Sequence, residues 1–112
     1  MNLFRSCFIS FLFALLPLTA LADEPKTREA CESAGGTWAK FGMIQKEYCD
    51  RKPADAGKPC RSSSDCESKC YTPEQTRPGV EKEGICFDHT VTVGHCLNYV
   101  ENGKTSGTIC AD

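Results

Sequence analysis

Three cysteines stand within the eleven residues of CRSSSDCESKC, positions 60–70, and cysteines at this density support three kinds of chemistry. As thiolates they bind zinc, as a pair they exchange electrons, and when oxidised they form structural disulfides. Thiol redox centres commonly use Cys-x-x-Cys, whereas Cys66 and Cys70 are separated by three residues. The spacing therefore favours structural half-cystines over a redox centre.

A zinc site is the alternative, because two thiols and two imidazoles occur within eleven residues: Cys86, His89, His95 and Cys96. Zinc takes four such ligands in a tetrahedron. Exported thiols tend to oxidise, however, and the sequence contains no Cys-x-x-Cys knuckle. We expect no metal and no other cofactor, and we keep these four residues as the alternative ligand set.

The same two histidines are the chain's only imidazoles, which limits the case for catalysis. The sequence has no Gly-x-Ser-x-Gly motif, no phosphate-binding loop and no recognisable pair of catalytic carboxylates. We therefore expect a protein that is not an enzyme, with a small secreted enzyme as an alternative.

Residues 1–22 have the pattern of a cleaved signal peptide. Their apolar run is broken by Pro17 and ends in a small-x-small site at Ala22. The run is about 15 residues long, whereas a helix that spans a bilayer needs roughly 20. We expect cleavage near Ala22, a secreted or periplasmic protein without a membrane span, and a single cysteine-rich domain over residues 23–112.

Removal of Cys7 with the signal peptide leaves eight of the nine cysteines, an even number that favours four disulfides. The predicted half-cystines are Cys31, Cys49, Cys60, Cys66, Cys70, Cys86, Cys96 and Cys110. Residues 23–112 contain only twelve large apolar residues, so the core is thin for its length. Each disulfide typically contributes about 2–4 kcal/mol, and four of them decide whether such a chain folds.

The predicted fold class is a small disulfide-rich α+β or mostly β domain, with one or two short helices and two β-hairpins. Thr27 is placed to cap a helix over residues 28–34, which Gly35 and Gly36 then end. The segments TWAKF and MIQKEYC, residues 37–41 and 43–49, follow as the first hairpin. A disulfide between Cys31 and Cys49 would join this helix to the hairpin.

A second short helix is predicted from the capping-box pattern of Ser64, Asp65, Cys66 and Glu67. In that helix Cys66 and Cys70 share one face, so each is better placed to bond another segment than to bond its neighbour. Further on, HTVTV, residues 89–93, alternates polar and apolar side chains and is predicted to be a strand.

Asn102-Gly103 is a strong signal for a second hairpin with a two-residue turn. Such a turn sets Glu101 opposite Lys104 and Val100 opposite Thr105. The same register continued along the strands sets Cys96 opposite Ile109. We therefore predict that Cys96 and Cys110 are not bonded to each other unless a β-bulge shifts the register.

Binding is the function class that these observations favour. Loops 50–59 and 71–84 are each flanked by cysteines, and stapled loops lose little entropy on contact with a partner. Tyr71, Arg77 and Lys82 are the predicted contact residues, since tyrosine and arginine are enriched at hot spots. The chain carries 13 Lys and Arg against 15 Asp and Glu without a basic stripe, so we expect a protein partner and no nucleic acid.

The segments CESAGGTWAKFGMIQKEYC and DAGKPCRSSSDCESKC together resemble small exported cysteine-rich proteins of Gram-negative bacteria. The first segment is also similar to a bacterial domain of unknown function. The spacing of Cys60, Cys66 and Cys70 resembles that of whey-acidic-protein-type inhibitors, whose adjacent cysteine pair is absent here. These resemblances imply export and a disulfide scaffold but supply no activity. The predicted role is an exported binding module, protein-binding or inhibitory, that acts through the two loops.

Overall fold

The computed structural model describes residues 24–112, so the predicted signal peptide lies outside the described residues. This part of the chain forms one short α-helix, seven strands in two antiparallel sheets and four disulfides. The elements are α1 (Arg28–Ser33), β1 (Thr37–Phe41), β2 (Lys46–Asp50), β3 (Pro59–Cys60), β4 (Cys70–Thr72), β5 (Gly84–Cys86), β6 (Cys96–Glu101) and β7 (Lys104–Cys110). The predicted class, mostly β with disulfide staples, is confirmed. Among residues 24–112 no helix is long and apolar enough to cross a bilayer.

The helix α1 and the β1–β2 hairpin form the N-terminal unit. Thr27 caps the helix, because its hydroxyl accepts a hydrogen bond from the backbone N–H of Ala30 at 3.2 Å. The predicted Cys31–Cys49 disulfide is present and joins α1 to β2. A side chain at Gly36 would meet the two sulfur atoms of this disulfide at 2.6 and 2.8 Å, so glycine is needed for the helix to approach the hairpin. β2 starts at Lys46, three residues later than predicted.

The second sheet has five strands in the order β3-β5-β4-β6-β7. Its core cluster consists of Cys60, Cys70, Cys86 and Val100, with Cys66 packed against them. Two disulfides, Cys60–Cys70 and Cys66–Cys86, thus occupy the space that large aliphatic side chains fill in other small domains. Cys66 and Cys70 bond to other segments, as predicted.

Two predicted elements are wrong in detail. The turn before Cys66 is a single 3₁₀ turn over Ser63–Asp65, and its capping box joins Ser62 to Asp65. The backbone is already extended at Cys66, with φ −122° and ψ 153°, because the side chain has to reach Cys86 in β5.

HTVTV, residues 89–93, is a loop instead of a strand. Its backbone bonds to the end of β2: the Thr90 N–H donates to the Arg51 carbonyl at 3.0 Å, and the Val91 N–H donates to Asp50 Oδ1 at 3.3 Å. These bonds replace a regular strand ladder and hold the N-terminal unit against the five-stranded sheet.

The second hairpin has the predicted turn, with positive φ of 50° at Asn102 and 71° at Gly103. Glu101 pairs with Lys104 and Val100 with Thr105, as predicted.

Beyond Val100 the register shifts, because the single residue Tyr99 faces two residues of β7, the second of which is Gly107 with φ 73°. This bulge sets Cys96 opposite Cys110, and the two are bonded. The two cysteines are bonded because a β-bulge shifts the register, which is the condition that the prediction allowed.

Candidate functional site

The tip of loop 71–84 is fixed to the edge strand β7 by hydrogen bonds. Thr105 accepts from the Gly79 N–H at 2.7 Å and donates its own N–H to the Val80 carbonyl at 2.9 Å. Its hydroxyl donates to the Arg77 carbonyl at 2.9 Å. One buried residue therefore holds three backbone positions of the loop.

Asn98 in β6 fixes the earlier part of the same loop. Its side-chain amide nitrogen donates to the Glu74 carbonyl at 3.1 Å and to the Thr76 hydroxyl oxygen at 2.8 Å. The residue is only 4% exposed, and its buried side-chain oxygen has no hydrogen-bond partner within the described part of the chain. Asn98 lines a cavity of about 230 Å³ whose wall also includes Tyr71 and Pro73.

The three predicted contact residues differ in how free they are to bind. Arg77 is exposed at the tip of the loop. Lys82 is neutralised by Glu74, with 2.8 Å between ammonium and carboxylate. Tyr71 is half-buried in β4. Strand β6 lies between β4 and the edge strand β7, to which the backbone of Arg77 is bonded. The structure thus places Arg77 and Lys82 on one loop and Tyr71 on the sheet.

Loop 50–59 meets Tyr71 rather than Arg77. A second cavity of about 220 Å³ is lined by Tyr71 together with Lys52, Ala56, Gly57, Ile85, Cys86 and Asp88. The loop is tied to β5 because the Gly57 N–H donates to the Cys86 carbonyl and the Cys86 N–H donates to the Lys58 carbonyl, both at 2.8 Å. Arg77 and Lys82 do not line this cavity.

Tyr71 packs edge-on against Phe87, with ring centroids 5.0 Å apart. Burial raises the pKa of the Tyr71 hydroxyl above its usual value, and the negative charge of Asp88 raises it further. Tyr71 therefore remains neutral, and a hydrogen-bond donor, well into alkaline pH.

Tyr99 belongs to the same surface, and the sequence did not reveal it. The register sets Tyr71 opposite Ile85 on one side and opposite Tyr99 on the other. Directly opposed residues of a sheet share a face, so a half-buried row of Ile85, Tyr71 and Tyr99 crosses three strands. The pairing of β4 with β6 is long-range, which is why no local signal indicates it.

The two histidines lie together beside Phe87, on which both rings pack with centroids 5.2–5.3 Å away. His89 Nδ1 is 2.6 Å from Asp50 Oδ2, and His89 Nε2 is 3.6 Å from Asp88 Oδ1. The rings of His89 and His95 are stacked, with centroids 5.2 Å apart. The alternative ligand set placed the two imidazoles together, whereas the contact of His89 with Asp50 was not anticipated.

Cys86 and Cys96 are not available beside these histidines as thiolate ligands. Cys86 is bonded to Cys66 and Cys96 to Cys110. The alternative four-ligand set is therefore wrong for the oxidised protein, and a metal there would have to use the imidazoles with nearby carboxylates.

Comparison with known proteins finds no family model, no curated protein and no solved structure that matches this chain.

Proposed function

We propose that the protein is an exported, non-enzymatic binding module that recognises a protein partner, as a binder or an inhibitor, through loops 50–59 and 71–84. The observation that carries this proposal is the rigid presentation of Arg77. Thr105 holds the backbone at and after this residue, Asn98 bonds the Glu74 carbonyl and the Thr76 hydroxyl before it, and the Arg77 side chain stays exposed. A loop that is ordered before contact loses less entropy on binding.

Disulfide content supports the proposed location. All eight cysteines of residues 24–112 are in disulfides, and such bonds persist in oxidising compartments. Together with the signal-peptide pattern of residues 1–22, this favours secretion or a periplasmic location after cleavage near Ala22.

The charges of loop 71–84 support a partner that presents an acidic group. Lys82 is paired with Glu74, whereas Arg77 has no ion-pair partner among residues 24–112, so Arg77 is the one of the predicted three that offers a free cation to a partner. The planar guanidinium is suited to bidentate contact with a carboxylate. We propose an acidic group of the partner at Arg77 and an apolar group against the row of Ile85, Tyr71 and Tyr99.

The test compares capture of proteins from the producer's envelope and culture medium by immobilised wild-type protein and by variants. Arg77→Ala should weaken the specific interaction at least tenfold, which corresponds to about 1.4 kcal/mol. Arg28→Ala is the matched control, since Arg28 is an exposed arginine on α1. Tyr71→Ala should also weaken binding while the four disulfides and the unfolding transition are retained.

Equal retention of the partner by wild type, Arg77→Ala and Tyr71→Ala would reject these loops as the binding surface. Loss of binding by Arg28→Ala to the same degree would show that the contact depends only on overall charge.

A second candidate function, metal binding at His89 and His95, is favoured by the contact with Asp50. When the neutral His89 ring donates its Nδ1–H to Asp50, Nε2 presents a lone pair, as in carboxylate–histidine–zinc arrangements. Zinc added to the oxidised protein should raise the unfolding temperature in wild type but not in His95→Ala or His89→Ala. An unchanged transition in the wild type, with or without chelator, would exclude this function.

A further inference from the structure

The outer edge of strand β7 is covered by another segment over only part of its length. The tip of loop 71–84 bonds to Thr105, and Pro78 lies beside Gly107, where its Cγ atom would be 3.0 Å from an added Cβ atom. Residues 108–110 follow and are exposed. Within the described part of the chain no loop bonds to their backbone. We call these three residues the open edge.

The backbone groups of Thr108 and Cys110 point away from the sheet at this edge. The Ala111 N–H donates to the His95 carbonyl at 3.1 Å, so Ala111 bonds on the β6 side. Bonding direction alternates along a strand, which turns Cys110 and Thr108 to the outer side. The Cα atoms of Cys96 and Cys110 agree, because they are 3.9 Å apart, the close spacing of a pair that exchanges no hydrogen bonds. Two N–H donors and two carbonyl acceptors therefore face outward.

The features that block other sheet edges are missing from the open edge. Proteins protect edge strands by shortening them, by covering them, or with proline and charged side chains. The opposite edge strand, β3, has two residues and begins with Pro59. Residues 105–111, TSGTICA, contain neither a charge nor a proline. Ile109, in the middle of the open edge, is 50% exposed. This stretch is therefore ready to pair with another strand.

The hydrogen-bonding pattern of the open edge is complementary to itself. An antiparallel pair of β7 strands with a two-fold axis at Ile109 sets Thr108 of each copy opposite Cys110 of the other. Each of these two pairs exchanges both of its hydrogen bonds. Ile109 then lies opposite Ile109 of the second copy, in the type of pair whose side chains approach most closely. The arrangement satisfies all four outward groups and covers the exposed isoleucine.

The charges at the two ends of β7 favour the same arrangement. Lys104 begins the strand, Asp112 follows its end, and both are exposed. Antiparallel pairing brings the basic end of one copy towards the acidic end of the other, whereas parallel pairing would place like charges side by side. Charge complementarity therefore supports a second copy of this chain as the occupant of the edge.

We propose that the protein forms a two-fold symmetric dimer through residues 108–110 of β7, which joins two five-stranded sheets into one sheet of ten strands. The paired stretch ends at Gly107, where Pro78 covers the edge. The dimer does not depend on a partner protein, and its test uses this chain alone. Failure of the dimer is therefore distinguishable from failure of the proposed function.

The first experiment is analytical ultracentrifugation of the oxidised protein at concentrations up to about 1 mM. Wild type should show a reversible equilibrium between monomer and dimer. Ile109→Lys should weaken the dimer at least tenfold, because it places a charge at the two-fold axis. Ile44→Lys is the matched control, since Ile44 is 78% exposed at the turn of the β1–β2 hairpin. It should dimerise like wild type.

A cross-link tests the register. Directly opposed residues of such a pair have Cα atoms about 4.5 Å apart, which is within the range of a disulfide. Ile109→Cys should therefore form a covalent dimer joined at position 109 under a mild oxidant, as mapped by mass spectrometry, and Ile44→Cys should not. A monomeric wild type at about 1 mM, an equal effect of lysine at positions 44 and 109, or equal cross-linking at both positions would overturn the proposal.

Discussion

Gly84 offers the sharpest test of how the core of the five-stranded sheet is packed. A Cβ atom at this position would lie 2.7 Å from the Tyr71 carbonyl oxygen, 2.9 Å from Cys70 Sγ and 2.9 Å from Val100 Cγ2. These neighbours are a backbone atom, a bonded sulfur and a fully buried side chain, so none of them yields easily. Overpacking of this kind costs about 1–3 kcal/mol. Gly84→Ala should therefore lower the unfolding temperature by roughly 5–15 °C in a domain of this size.

Gly57 is the matched control, because a Cβ atom there meets nothing within 4 Å but the backbone has φ +81°. Alanine at this position costs about 1–2 kcal/mol through the left-handed conformation alone, which asparagine adopts more readily. The order of stability of the alanine and asparagine variants should therefore reverse between Gly57 and Gly84. Asparagine should be better tolerated than alanine at Gly57, and worse than alanine at Gly84, where its extra atoms add to the overlap.

The assay is guanidinium and thermal unfolding of variants whose mass confirms four intact disulfides. A Gly84→Ala variant as stable as wild type, or the same order of alanine and asparagine at both positions, would refute this account of the core.

Three further predictions concern Tyr71, the Cys31–Cys49 disulfide and Asn98. Tyr71 should ionise at higher pH than free tyrosine, and Asp88→Asn should remove only the smaller part of the shift, because burial is its larger cause. The folded state then holds this proton more tightly than the unfolded chain, so stability should fall as the pH rises above about 10. The check is an absorbance titration of wild type against Tyr71→Phe. A pKa of Tyr71 equal to that of free tyrosine would contradict the prediction. The double variant Cys31→Ala/Cys49→Ala removes a disulfide that closes a loop of 18 residues and contributes about 3 kcal/mol. It should lose hydrogen-exchange protection in α1 and the β1–β2 hairpin only. Equal loss of protection in both sheets would contradict this prediction. Asn98→Asp should lower the free energy of unfolding by at least about 2 kcal/mol, because a carboxylate cannot donate to the two loop oxygens. An unchanged unfolding midpoint would show that these two hydrogen bonds do not hold the loop.

Features within a few residues of each other were predictable from the sequence. The Thr27 cap and the turn at Asn102-Gly103 were predicted and are present. The Cys31–Cys49 disulfide spans 18 residues, but its prediction followed from the helix and the hairpin that it joins. A cap and a two-residue turn depend on one side chain or on two φ angles, so the residue types themselves carry the information.

The site was less predictable, because its parts come from strands that are distant in sequence. Tyr71 was identified as a contact residue, but its neighbour Tyr99 depends on the long-range pairing of β4 with β6. The salt bridge that neutralises Lys82 also depends on how the loop folds back on itself.

By itself, the sequence determined that a chain with an even number of half-cystines and few large apolar residues folds as a small, mostly β, disulfide-stapled domain. Only the tertiary structure decided which sulfur atoms meet in the five-stranded sheet. One extra residue in β7 at Gly107 shifts the register and sets Cys96 opposite Cys110, and the extended backbone at Cys66 directs its side chain to Cys86. Because side chains alternate between the faces of a sheet, a shift of one residue exchanges every partner beyond it. Local residue preferences do not encode that shift, whereas the packing of the whole sheet does.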